Sequence, residues 1–163
     1  MPKVISMDLI KQLREKTSAG VMDAKKALEE SKGDMAKAEA WIKAKGIMRA
    51  EKKADREAKQ GVIASYVHQG SQVVALVELN CETDFVARTD AFINLGKEVA
   101  MQVASMKPAT VAELLEQPYI RDAKTTIKDL VKTVAGTVGE NVVVTRFVRM
   151  AVGETAAQAP SKE

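Results

Sequence analysis

The sequence predicts an α+β protein: an N-terminal three-helix module, a charged connector, then a β-β-α-α-β core with a three-stranded antiparallel sheet. Three observations carry this. Apolar residues recur with the 3.6-residue period of a helix up to residue 46, and with the two-residue period of a strand from residue 61. Between these stretches, residues 43–60 hold seven Lys/Arg against three acids. The chain is 46% hydrophobic but only 4% aromatic, so Val, Ile, Leu, Met and Ala must do the packing.

The helical part reads as three short elements. Ser6 is placed to cap the first, Met7, Ile10 and Leu13 form its stripe, and Asp8 lies in the first turn, where the helix dipole favours an acid. Ser18-Ala19-Gly20 breaks the pattern. Residues 21–31 resume it, and Gly33 stands where a left-handed C-terminal cap belongs. Asp34 then caps a third helix whose Ala38, Trp41 and Ile42 share a face and which Gly46 is expected to end. Residues 47–60 have no apolar stripe beyond Ile47 and Met48, so a solvated helical connector is expected there.

In the core, residues 62–69 and 73–80 are β-branched runs around Gln69-Gly70-Ser71-Gln72, a hairpin signal. Val73, Ala75, Val77 and Leu79 share one face, while Val74 and Leu76 share the other, as in a strand buried on both sides. Phe92, Leu95, Val99, Val103 and Met106 mark an amphipathic helix. Pro108 and Pro118 punctuate a turn region, and Ile120, Ala123, Ile127, Leu130, Val134 and Val138 mark a second long helix. Gly139-Glu140-Asn141 turns the chain into a third strand over 142–148, and the tail from Glu154 is expected to fray. The expected divisions are 1–46, 47–60, 61–153 and 154–163. There is no internal repeat.

Residue types limit the chemistry. His68 is the sole histidine and lies beside the hairpin tip, with no Ser-His-Asp or Cys-His order around it. Cys81, the sole cysteine, ends an apolar strand, where packing explains it better than nucleophilic catalysis. One cysteine excludes an internal disulfide and suits a reducing cytoplasm. No CxxC pair, HExxH or EF-hand spacing occurs, and neither GxGxxG nor GxxxxGK[ST] is present. The expectation is a non-enzyme with no metal, no cofactor and no nucleotide cradle of its own. No apolar run nears the ~20 residues of a membrane span, and the start has no long apolar signal-like run. Net charge is +3 but uneven, with 15 Lys/Arg against 10 Asp/Glu in residues 1–60 and 10 against 12 in the rest. The basic half could meet nucleic acid or an acidic protein surface. Interleaved acids weaken the field that phosphates would feel, so nucleic acid stands as the alternative partner.

One stretch is more specific than all of these: Glu78-Leu79-Asn80-Cys81-Glu82-Thr83-Asp84-Phe85-Val86-Ala87-Arg88-Thr89-Asp90. A strand pattern becomes an acid-rich helix start, and a large aromatic sits beside the cap. This stretch resembles the signature of the elongation factor Ts family. Lys16-Thr17-Ser18-Ala19-Gly20-Val21-Met22-Asp23-Ala24-Lys25-Lys26-Ala27-Leu28 is similar to the turn and second helix of that family's amino-terminal module, and Val138-Gly139-Glu140-Asn141-Val142 is similar to its turn before a core strand.

The resemblance implies a ubiquitin-associated-like three-helix module and a nucleotide-exchange role on the GTPase elongation factor Tu. Thr83, Asp84, Phe85 and Val86 would press on that partner near its Mg²⁺, with Phe85 as the wedge. Val21, Met22, Lys25 and Lys26 would dock the module, and Val138 and Gly139 are second-tier contacts. The loop at 18–22 lacks the Met-Gly-Phe pattern of ubiquitin binders. Longer relatives carry two related core halves, whereas one hairpin–two-helix–strand unit is read here. Two-faced apolar strands and a single layer of helices therefore predict a homodimer with sheet packed on sheet.

Overall fold

The computed structural model describes residues 4–154; the expected tail from 155 onward lies outside them. Helices α1 (Met7–Thr17), α2 (Val21–Glu30) and α3 (Met35–Glu51) come first. Ser6 accepts from the Leu9 amide and Asp34 from the Lys37 amide, so both predicted caps form. Gly33 adopts φ 80° and donates its N–H to the Leu28 carbonyl, closing α2. Ile10, Leu13, Ala24, Ala27, Leu28 and Ala38 form a small core of their own, with Trp41 and Ile42 packed against it.

Gly46 does not end α3, which runs on to Glu51. Gly46 is buried where α3 crosses a later helix, α7 (Ile127–Val138), and faces Gly136. A Cβ on Gly136 would stand 2.3–2.5 Å from Gly46 backbone atoms, so the glycines permit a close approach of the two helices rather than a stop. Ala50, in the stretch expected to be connector, is buried in the main core. Its neighbours are anchored too: the Lys53 ammonium donates to the Gly139 carbonyl at 2.5 Å, and Lys132 pairs with Glu51 at 2.9 Å. The apolar stripe here is made of glycine and alanine, which hydrophobic periodicity does not register.

Strands β1 (Gln60–Val67) and β2 (Val73–Cys81) form the expected hairpin, with Val67 opposite Val74. Gly70 (φ 86°) and Ser71 (φ 57°) make its turn. The sheet order is β1-β2-β5, all antiparallel, with β5 spanning Val143–Ala151. The inner face (Ala75, Val77, Leu79, Cys81, Val144, Phe147) packs on α5 (Asp90–Met106) through Phe92, Leu95, Val99 and Val103. Among the described residues nothing covers the other face, where Ile63 (66% exposed), Val67, Leu76, Val148 and Met150 (74%) are exposed. Among these residues the central strand is therefore buried on one side only, against the two-sided expectation.

The second long helix is shorter than its periodicity implied. Residues Pro118–Tyr119 (β3) and Asp122–Thr126 (β4) form a small hairpin, Ile120 and Ala123 are exposed, and α7 starts only at Ile127 behind the Thr126 cap. Proline lacks the N–H a helix interior uses. Buried Gln102 holds the alternative in place, donating to the Pro118 carbonyl at 3.0 Å and accepting from the Ile120 amide at 3.0 Å. A further short helix, α6 (Val111–Glu116), buries Leu114. Glu154 is tied to Lys107 at 2.5 Å and Arg149 at 2.7 Å, so the chain is held at that residue.

Candidate functional site

The site is built where β2 leaves the sheet. Cys81 is fully buried, and burial, followed by the charge of Glu140, pushes its thiol above the ordinary value, which fits a packing residue. Thr83 then opens a one-turn helix, α4 (Asp84–Ala87), by accepting from the Val86 amide at 3.4 Å. Asp84 is not the cap. It occupies the first turn and pairs with Arg88 at 3.1 Å in the open. Ala87 is buried and Val86 packs against the main core, so both anchor the turn. Phe85 points away from them and is 78% exposed. Burying such a ring is worth roughly 1.5–3 kcal/mol, and here that gain is forgone.

Two loops meet beneath this corner. The Glu140 carboxylate accepts from the amides of Glu82 (3.2 Å) and Thr83 (2.9 Å) and from the Thr83 hydroxyl (2.7 Å). In return the Glu82 carboxylate accepts from the Asn141 amide at 2.7 Å. The Asn141 side chain donates to the carbonyls of Ala54 (3.2 Å) and Arg56 (2.7 Å), and the Arg56 guanidinium lies 3.7 Å from Glu82. Three separate segments thus converge behind Phe85.

The structure therefore brings Thr83–Val86 together with the turn at 139–141. Gly139 is the left-handed C-terminal cap of α7 (φ 78°), and Val138 is half-buried against the main core. Glu82, Glu140 and Asn141 carry the junction; the sequence reading named their neighbours Thr83, Val138 and Gly139 as contacts but not these three, because the pairing joins positions 58 residues apart.

Val21 (43% exposed) and Met22 (74%) form an apolar step at the start of α2, which no side chain caps. Lys25 lies 3.8 Å from Glu29, and Lys26 is exposed. Asp23 faces the other way and pairs with Arg49 and Lys45, each at 2.7 Å; Arg49 first and then Lys45 hold its carboxyl below the ordinary range. A cleft of about 50 Å³ lies here between Gly20, Trp41 and Gly136, far below the size of ordinary ligand pockets. Among the described residues no hydrogen bond or ion pair joins this step to α4.

Among the described residues, no group of three or more His, Cys, Asp or Glu is placed to hold a metal, and no helix is long and apolar enough to cross a membrane. His68 lies 3.1 Å from the Tyr66 hydroxyl at the sheet's rim.

Comparison with known proteins bears directly on this corner. The family model described as elongation factor TS matches residues 82–159. Elongation factor Ts of Methylacidiphilum infernorum (isolate V4) is 41% identical, with 94% of this chain and 98% of that protein covered. Those of Prochlorococcus marinus (strain MIT 9303) and Coprothermobacter proteolyticus are 45% and 44% identical, each over 92% of this chain and over 90% and 99% of their own lengths. The first alignment spans 197 positions, more than the 163 residues here, so that relative carries inserted segments that this chain lacks.

Proposed function

From the premise that this chain belongs to the elongation factor Ts family, a family of translation elongation factors, we propose that it is a guanine-nucleotide exchange factor for elongation factor Tu. The observation that carries the reading is Phe85, a large ring 78% exposed on a helical turn whose other apolar residues are anchored.

An exchange factor works by binding the nucleotide-free state of its GTPase better than the GDP-bound state, and the difference is the free energy removed from nucleotide binding. Phe85 inserts between helices of the partner near its Mg²⁺, and Thr83, Asp84 and Val86 fill the rim of that contact. Mg²⁺ demands near-ideal octahedral geometry, so small displacements of its ligands are costly. The 1–46 module docks separately through Val21 and Met22, with Lys25 and Lys26 as rim charges; Val138 and Gly139 lie at the edge. No covalent step occurs, and the chain binds no nucleotide itself. It acts in the cytoplasm, where its partner works.

The open sheet face takes a second copy of the chain. Ile63, Val67, Leu76, Val148 and Met150 lie side by side on one sheet, and a two-fold pairing of such faces buries about 1,600 Å² or more. Light scattering at micromolar concentration tests this: twice the chain mass is expected, and a single-chain mass with full activity overturns it. The nucleic-acid alternative loses support from Lys45, Arg49, Lys53 and Arg56, all engaged within the chain. GDP release from purified elongation factor Tu, followed with and without this chain, tests the main reading. Acceleration is expected; an unchanged rate with salt-steep RNA binding favours the alternative.

A further inference from the structure

We propose that Glu140 is a positioning residue for nucleotide exchange: its carboxylate clamps the backbone entering α4 and so sets the direction in which Phe85 is presented. The proposal rests on the exchange reading above and concerns a residue that does not itself reach the partner.

A helix of one turn cannot hold its own shape, because it fixes several dihedrals for hardly any internal hydrogen bond. α4 has four residues, so its orientation must come from outside. Thr83 alone satisfies the ordinary need for a cap, by accepting from the Val86 amide. Glu140 adds three further bonds, all to Glu82 and Thr83, which stand three and two positions before the exposed ring. These are charge-assisted and about twice as strong as neutral bonds. The Thr83 hydroxyl is thereby fixed as donor to Glu140, which turns an oxygen lone pair towards the Val86 N–H. A continuous chain runs from the Glu140 carboxylate through that hydroxyl to the amide next to Phe85.

Fold stability alone does not explain the arrangement. Glu82 and Glu140 are like charges brought to the same junction, an unfavourable placement offset by backbone donors and by Arg56. The clamp is also seated on a firm base. Glu140 follows the C-terminal cap of α7, and the neighbouring Asn141 ties the segment after α3 through Ala54 and Arg56. The ring is thus referred to α7 and α3, not merely to β2.

The test uses the full chain with Glu140→Ala and Glu140→Gln. Maximal stimulated GDP release from elongation factor Tu is expected to fall about tenfold in Glu140→Ala, while affinity for the partner changes less than about threefold, since the ring is still present but no longer held. Amide hydrogen exchange at Thr83 is expected to accelerate about tenfold or more, with β2 and α5 unchanged. Glu140→Gln keeps an acceptor for both amides and is expected to recover most of the rate; it is also the working variant if the alanine form folds poorly. Adding Glu140→Ala to Phe85→Ala is expected to cost nothing further, because a clamp without a ring has no function. An unchanged maximal rate in Glu140→Ala, unchanged Thr83 exchange, or losses that multiply in the double variant would each overturn the proposal. If the unaltered chain fails to stimulate GDP release, the exchange reading falls on its own, and the Thr83 amide still reports whether the clamp exists.

Discussion

Helices α4 and α5 open with nearly the same residues, Thr83-Asp84-Phe85 and Thr89-Asp90-Ala91-Phe92, yet one ring is exposed and the other is sealed in the core. Both threonines cap in the same way, accepting from the amide three positions on, Val86 in one case and Phe92 in the other. The cap sets the phase of the helix, so the third helical position faces inward in both. Phe92 occupies it in α5 and Val86 occupies it in α4. Phe85 stands one position earlier, about 100° around the axis, and is turned to solvent. Phe85 therefore has no packing role left to fill. A ring kept in water on a braced turn is an available contact.

The comparison breaks most visibly at Phe92. Phe92→Ala is expected to destabilise the fold by about 3–5 kcal/mol, read from denaturant unfolding; a loss below about 1 kcal/mol would remove the core assignment. The two caps come next. Thr89→Ala is expected to cost about 1 kcal/mol as a lost cap, and Thr83→Ala about 1 kcal/mol more, because the Glu140 carboxylate also loses its hydroxyl donor. Equal losses at the two sites would show that the Glu140 bonds add nothing to stability.

A third helix start sharpens the contrast from the other side. α2 lacks a side-chain cap, and Asp23 in its first turn is held instead by Arg49 and Lys45. The Asp23 carboxyl lies below its ordinary value of 3.8, so its contribution is present above that pH and fades as pH falls through the lower, folded-state value. Asp23→Asn is expected to cost up to about 1 kcal/mol at neutral pH, and the gap from the unaltered chain should close below pH 3.8. A gap that persists in acid would show that the pairing is not ionic. The smallest stability effect is expected at Phe85 itself, within about 0.5 kcal/mol for Phe85→Ala.

Much of this was readable from local chemistry. Ser6 and Asp34 announce helix starts, Gly139 a helix end, and Gln69-Gly70-Ser71-Gln72 a hairpin, because caps and turns depend on a few adjacent residues. Gly46 misled because a stopping glycine and a close-packed one look alike until Gly136, 90 residues away, is set against it. Ile120 and Ala123 fit a helical period by coincidence. What decides their conformation is Gln102, whose burial no polar side chain advertises in sequence. At the candidate site, Thr83 to Val86 are singled out by family resemblance, whereas the bonds of Glu140 to Glu82 and Thr83 span a gap that no local pattern bridges.

The most direct test of the account pairs two readings on one variant, Phe85→Ala: stimulated GDP release from elongation factor Tu and the variant's own thermal midpoint. Release close to the unassisted rate is expected, with a midpoint within about 2 °C of the unaltered chain. Full stimulation by the variant, or an early melt with loss of circular dichroism, would contradict it.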